Sequence, residues 1–403
     1  MFPRSSLGPL LLLLSACGAA PVAEPSPFGP LRGGPPAPIV TALLPPPPPA
    51  PVATVAPPPA ALPEPTGSGV PLDAPATQPP APSPPARVAR GTGSAEDALL
   101  AAGDTAFAAN DFVAAEKAYR GAAAKDRKDP AGIVGAVRAK IARAAVPTDF
   151  NSAPKSPVLT AAVSELKRAI KLDDTYASAH LELGRAYLVL GSTADALASL
   201  RRAVELAPGD AEAHSALGIA HLAGGHLPEA IRELARSAEI APGDADRQTN
   251  LGTALLSAGR AGEAVAAYER AARLAPGDAR VENDLGTALL FANDPARATA
   301  ILASAVAKDP QRATYRSNLG YAYSLKGDLP KAIALYREAL KLDDKLGSAW
   351  INLGNALAQS GQTKEAREAY LKAKALDPTD PRVKAVLQEL DTIEKGGGAP
   401  ATP

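Results

Sequence analysis

One cysteine, one methionine and one tryptophan in 403 residues set the first limits on this chain. A lone cysteine excludes an intramolecular disulfide and leaves no second thiolate for a structural zinc site. Aromatic residues make up only 4% of the chain, a share suited to helices packed through alanine and glycine. Net charge is zero, from 42 basic and 42 acidic residues, so the basic bias of a nucleic-acid-binding surface is missing, as is any case for an extended charged ligand. The apolar run Leu10 to Leu14 is far short of the about 20 residues that a membrane-spanning helix needs. There is no Gly-x-Ser-x-Gly elbow, no phosphate loop followed by Lys-Ser/Thr and no carboxylate pair in an asymmetric setting. No catalysis, cofactor or metal is therefore expected. Of the four histidines, His180 and His214 share a repeat position with Trp350, and His221 shares one with Tyr and Leu; packing accounts for all three.

What is present is a period. Leu183-Gly184 returns as Leu217-Gly218, Leu251-Gly252, Leu285-Gly286, Leu319-Gly320 and Leu353-Gly354, each pair 34 residues before the next. A fixed period of this length marks stacked supersecondary units. Seven residues after each glycine stands a turn former (Gly191, Gly225, Gly259, Asn293, Gly327, Gly361), able to take the left-handed conformation that ends a helix. Twelve residues after it stands an alanine (Ala196, Ala230, Ala264, Ala298, Ala332, Ala366), small enough to let two antiparallel helices approach. Bulky residues follow at Leu200, Leu234, Tyr268, Leu302, Tyr336 and Tyr370, and small ones three positions later. Proline at 208, 242, 276, 310 and 378 stops the second helix, with Asp344 in its place once.

This grammar resembles the tetratricopeptide repeat, down to Trp350 at the start of a first helix. The resemblance implies an all-α fold: an α-solenoid, a right-handed superhelix of helical hairpins. Six regular repeats cover 177–380. Residues 94–176 read as two degenerate copies, the second broken by an insertion at 147–156 with Phe150 at its tip. Val383, Val386, Leu387, Leu390 and Ile393 form one apolar stripe on a capping helix over 381–395, and 396–403 is a frayed tail.

Upstream, Arg4, the leucine run and Leu14-Ser15-Ala16-Cys17 read as a signal peptide over 1–16. That ending resembles a bacterial lipobox, which implies lipid on Cys17 and a membrane anchor. Gly18 in place of aspartate points to the outer membrane, facing the periplasm. From Cys17 to residue 93 the chain is rich in Pro and Ala, with 25 of the 42 prolines between Pro21 and Pro85. Such a stretch cannot bury a core and is expected to be a disordered, partly polyproline II tether.

In a tetratricopeptide array the first helices line an inner groove. The resemblance places Asn250, Asp284, Asn318 and Asn352 on it as a ladder, flanked by Thr253, Thr287, Tyr321 and Asn355, with Phe291 farther along. Thr249, Asn283, Ser317, Ile351 and Leu290 lie beside them, and this surface reads as polar and almost uncharged. A carboxamide offers both a donor and an acceptor, so such a ladder can clamp extended backbone. The family's carboxylate-clamp pattern is not met, because Ile351 stands where its lysine belongs. The chain is thus expected to be a non-enzymatic scaffold that binds a segment of another envelope protein and assists assembly of an envelope complex. A small-molecule ligand is not expected. The competing expectation is an accessory subunit of a polysaccharide synthesis or export complex, which a surface short of stacked aromatics does little to favour.

Overall fold

The repeat's spacing dictates helices: runs of Ala, Leu, Glu and Lys with apolar positions three and four apart favour amphipathic segments of about 14 residues. The computed structural model describes residues 88–144 and 156–396, and those residues form seventeen helices and no strand. The lipobox with Cys17, the tether up to residue 87, most of the insertion including Phe150, and the tail after Gly396 lie outside the described residues.

Contacts among the described residues divide the chain after Ile301, and each unit is taken by itself. The first unit holds α1 (Ala95–Ala108), α2 (Phe112–Lys125), α3 (Ala131–Ala144), α4 (Pro157–Leu172), α5 (Ala177–Val189), α6 (Thr193–Leu206), α7 (Ala211–Ala223), α8 (Leu227–Ile240), α9 (Ala245–Ser257), α10 (Ala261–Leu274) and α11 (Ala279–Phe291). The boundary falls within α12 (Pro295–Lys308). The second unit continues with α13 (Ala313–Leu325), α14 (Leu329–Leu342), α15 (Gly347–Gln359), α16 (Thr363–Leu376) and α17 (Pro381–Gly396). Within each unit, consecutive helices pack on one another as stacked hairpins.

The leucine-glycine pair earns its place by steric exclusion. A Cβ on Gly184 would stand 2.4 Å from the Leu200 side chain, and one on Gly354 would stand 2.5 Å from the Tyr370 ring. Leu200 and Leu234 are wholly buried in that contact, as are Tyr336 and Tyr370 to within 1%. Each such side chain contributes roughly 1.5–3 kcal/mol through the area it removes from water. First helices end where a left-handed residue follows: Gly191, Gly225, Gly259, Gly327 and Gly361 have φ near +75°, and Asn293 takes φ 60°. Starts are set by aspartate, with Asp210, Asp244, Asp278 and Asp328 each accepting a backbone N–H in the first turn.

A second recurrent device anchors the first helices. His180 Nε2 and Trp350 Nε1 donate to the carbonyl six residues earlier, at 3.0 and 2.8 Å, and His214 Nε2 and Arg316 do the same. His214 Nδ1 also meets Glu233 Oε2 at 2.8 Å. His221 is buried against His226, and burial pulls its imidazole below the ordinary range.

Two places depart from a regular array. Tyr119, fully buried, is slotted between Gly103 of α1 and Gly135 of α3, at either of which a Cβ would meet its ring within 2.5 Å. Helix α3 accordingly packs closely on α2 as well as on α4. Residues 88–93 are the second departure. Composition assigns them to the tether, yet Val88 is buried among Leu100, Phe107, Tyr119 and Ala136. At the other end Val383, Leu387 and Leu390 of α17 join a cluster with Ala369, Tyr370 and Ala373.

Candidate functional site

The first helices of each unit present the residues singled out from the sequence. The ladder of four falls into two sets, Asn250 and Asp284 in the first unit and Asn318 and Asn352 in the second.

On α9, Asn250 is 2% exposed and its Nδ2 donates to Ser215 Oγ on α7 at 3.1 Å, while its Oδ1 meets no hydrogen-bond donor among the described residues. Thr249 turns its hydroxyl onto the Ala245 carbonyl, and Thr253 Oγ1 lies 2.9 Å from the Tyr268 hydroxyl. On α11, Asn283 Nδ2 donates to Asp284 Oδ1 at 3.3 Å and Thr287 donates to the Asn283 carbonyl. Burial pushes the Asp284 carboxyl up to about 6, against the opposing pull of Arg280. Leu290 is buried and Phe291, the last residue of α11, is half-buried.

The sequence missed what lies beside them. Glu212 of α7 is shared between Arg185 of α5 and Arg247 of α9, Arg185 also pairs with Glu182 at 3.0 Å, and Arg247 Nε lies 3.4 Å from Asp244. Arg280 of α11 reaches back to Asp246 of α9 at 2.8 Å. Glu182 is withdrawn from water to 8% and Arg247 to 5% exposure, whereas the Arg280 side chain keeps 36% of its surface exposed. The expected uncharged surface therefore does not describe this unit: its first helices are cross-linked by buried ion pairs. The signal was available in the spacing, since Asp246 and Arg280 stand one period apart and Glu212 and Arg247 one period plus one.

In the second unit the first helices are almost without charge. Helices α13 and α15 carry one charged residue between them, Arg316, which pairs with Glu338. Ser317 is 5% exposed, and Asn318 and Tyr321 are half-buried with partners of their own. Tyr321, Trp350 and Ile351 pack against the unit's core, and burial pushes the Tyr321 hydroxyl up to about 12. Asn355 Oδ1 accepts from the Tyr370 hydroxyl at 2.8 Å, which leaves its Nδ2 over. Asn352 is 5% exposed, and its carboxamide makes no hydrogen bond within the described residues.

One pairing recurs along the chain. At three of the four places where the bulky residue sixteen after the glycine is tyrosine, its hydroxyl meets the side chain one after the glycine: Tyr119 with Asp104 at 2.8 Å, Tyr268 with Thr253, and Tyr370 with Asn355; at the fourth, Tyr336, that position is Tyr321. Where leucine stands there, as at Leu200 and Leu234, the partner position is free to be Arg185 or Ile219. A buried hydroxyl needs its hydrogen bond, and at those three places the position one after the glycine supplies it. Among the described residues no group of three or more His, Cys, Asp or Glu is placed to hold a metal ion.

A family model for the tetratricopeptide repeat matches residues 159–211, 181–246, 215–279 and 283–346, and a second model of the same description matches 325–390. Together they span more than half of the chain. No curated protein matches. Among solved structures, the chain resembles the anaphase-promoting-complex hetero-tetramer Cut9–Hcn1 with TM-score 0.54 and 16% identity, over 73% of this chain and 56% of that one. It thus spans little more than half of that protein, and the likeness is one of fold. Pseudomonas aeruginosa PilF matches with TM-score 0.45 and 21% identity over 54% of this chain and 98% of its own. YrrB, described as having an unusual peptide-binding site, matches with TM-score 0.32 and 18% identity over 55% and 97%.

Proposed function

We propose that this chain, which belongs to the tetratricopeptide-repeat family, is a protein-interaction scaffold whose second unit captures an extended segment of a partner on α13 and α15. The observation that carries this reading is Asn352, whose carboxamide makes no hydrogen bond within the described residues and keeps its polar atoms open to water. A carboxamide with both its donor and its acceptor unused can take the two complementary groups from a polypeptide backbone. Asn355 Nδ2 offers a second donor three residues on, and Tyr321 and Ile351 supply apolar contact.

In this reading Cys17 carries lipid, the Pro/Ala-rich stretch is a tether, and the array works at the periplasmic side of the outer membrane on another envelope protein. Tethering raises the local concentration of a captured partner without any new contact. The test is capture from solubilised envelope by the full chain, with Asn352→Ala and Asn355→Asp combined; the aspartate keeps an acceptor for Tyr370 and removes the donor. Loss of the subunits of one assembly supports the reading. Retained capture sinks it, and recovery of glycan-synthesis components alone moves the function to polysaccharide export. Cys17→Ser should release the chain from the membrane fraction; unchanged fractionation would mean that the anchor was misread.

A further inference from the structure

Residues 88–93 are held in a way that neither the repeat nor the scaffold reading requires. The array has its own start, for Ser94 caps α1 with its hydroxyl on the Asp97 N–H at 3.0 Å. Before it, Gly91 and Gly93 take φ of +73° and +74°, turning the chain back over α1. Val88 N–H then donates to both oxygens of Asp104, at 3.0 and 2.9 Å, and Ala89 N–H donates to Asp104 Oδ2 at 2.9 Å. Arg90 N–H donates to Asp97 Oδ1 at 2.6 Å. The Val88 side chain sits in a pocket shared by α1 and α3, while the Arg90 guanidinium donates to Asp129 at 2.9 Å and lies 5.1 Å over the Tyr176 ring.

Each of these contacts is a kind that recognises a ligand. Consecutive backbone N–H groups are taken by one carboxylate, a small apolar side chain is enclosed, and a cation is received by a carboxylate and an aromatic face. Three residues engage α1, α3 and the start of α5, three successive first helices. Asp104 is the residue after the glycine in its repeat, the place that Asn355 occupies in the last one. Its extra oxygen is the difference: where Asn355 satisfies only Tyr370, Asp104 satisfies Tyr119 and still holds two backbone donors.

We infer that the face formed by Asp104, Tyr119, Asp129 and Tyr176 is a binding site for an extended segment of the order apolar, small, basic, and that Val88-Ala89-Arg90 fills it in cis. A partner segment of that order enters only by exchange with the chain's own. The site is separate from α13 and α15, so it stands or falls independently of the function proposed above.

The experiment titrates a fluorescein-labelled peptide of residues 86–93 into the full chain. Wild type has its site occupied by a segment whose short connection gives an effective concentration in the millimolar range, so it should bind the peptide at least tenfold more weakly than Val88→Asp/Arg90→Ala, in which the site is emptied. Adding Asp104→Asn to that variant, which keeps an acceptor for Tyr119, should abolish binding. Equal binding by wild type and emptied chain, no binding by the emptied chain up to several millimolar, or indifference to Asp104→Asn would each overturn the site. Should the double variant not fold, amide exchange in wild type decides. Exchange at Val88 and Ala89 through local opening, with α1 still protected, supports a displaceable segment; exchange only together with α1 reduces it to a fixed part of the hairpin.

Discussion

In residues 88–301 the first helices α5, α7, α9 and α11 carry Glu182, Arg185, Glu212, Arg247 and Arg280, joined helix to helix by ion pairs. In residues 302–396 the first helices α13 and α15 carry Arg316 alone, and their polar positions are Ser, Asn and Tyr. The repeat grammar is the same in both: leucine-glycine, a left-handed residue, and a buried side chain in the seam. Packing through the small residues therefore tolerates either chemistry beside it. The charged unit pairs most of its charges with one another yet seals Asn250 Oδ1 and Gln248 Oε1 away without a partner, and the uncharged one leaves Asn355 Nδ2 over.

The largest effect that can break this contrast is at Glu212. Removing it by Glu212→Ala leaves Arg185 and Arg247 side by side without their shared counter-charge, a loss of about 3–5 kcal/mol for buried pairs. The readout is denaturant unfolding together with amide exchange in α5 to α9. Replacing both arginines by methionine in the same chain should recover most of the loss, since a well-packed apolar set is often as stable as a buried ion pair. A cost below about 1 kcal/mol for Glu212→Ala would place these bridges in the class of solvated surface pairs, and the distinction between the units would lapse.

Asp284 sharpens the contrast through pH. Its carboxyl sits at about 6 in the fold against an ordinary 3.8, so between those values the folded chain keeps a proton that the unfolded chain has lost. Its contribution to stability therefore falls as pH rises from about 4 to about 6 and stays low above that, by at most about 3 kcal/mol. Burial raises Asp246 in the same direction, whereas Asp380 is lowered by its hydrogen bond to Arg382 and acts oppositely. The difference between Asp284→Asn and wild type isolates the one group: the variant should gain on wild type as pH rises from 4 to 6. A difference that is flat with pH would show that Asp284 is ordinary.

The buried tyrosine hydroxyls predict a smaller effect, equal in the two units. Tyr268→Phe and Tyr370→Phe each remove one hydrogen bond, worth about 1 kcal/mol. In double-mutant cycles with Thr253→Val and Asn355→Leu, a coupling of about that size should appear in both units. A coupling near zero would mean that position one after the glycine is not chosen to serve the tyrosine.

The fold was legible in the sequence because a period of 34 repeats every constraint six times. Gly184 and Gly354 could be placed against Leu200 and Tyr370 by counting alone, and so could the left-handed Asn293. The candidate site was legible only as positions. Counting placed Asn250 and Asn352 on equivalent faces but could not tell that Asn250 donates to Ser215, because that bond crosses from one first helix to the next at a spacing of 35. The ion pairs around Glu212 hid for the same reason, mixed among charges that are solvated. Residues 88–93 were misassigned because composition carries no term for a carboxylate sixteen residues downstream. Val88 looks like part of a Pro/Ala-rich stretch until Asp104 is seen to hold its backbone.

The smallest predicted effect is the most discriminating. Asn352 makes no hydrogen bond among the described residues, so Asn352→Leu gives up no bond within the array and should leave stability unchanged to within about 0.5 kcal/mol. Asn250→Leu, at the equivalent place in the first unit, strands the Ser215 hydroxyl but also removes the partnerless Oδ1, so it should lower stability by up to about 1 kcal/mol. The two substitutions are chemically identical and stand three repeats apart, so their difference in denaturation midpoint reports only what the surroundings ask of the carboxamide. A matching loss at Asn352 would mean that the array itself uses that group, leaving nothing over for a partner. A neutral or positive result would mean that stability does not ask for asparagine at 352, as expected of a residue retained for what it binds.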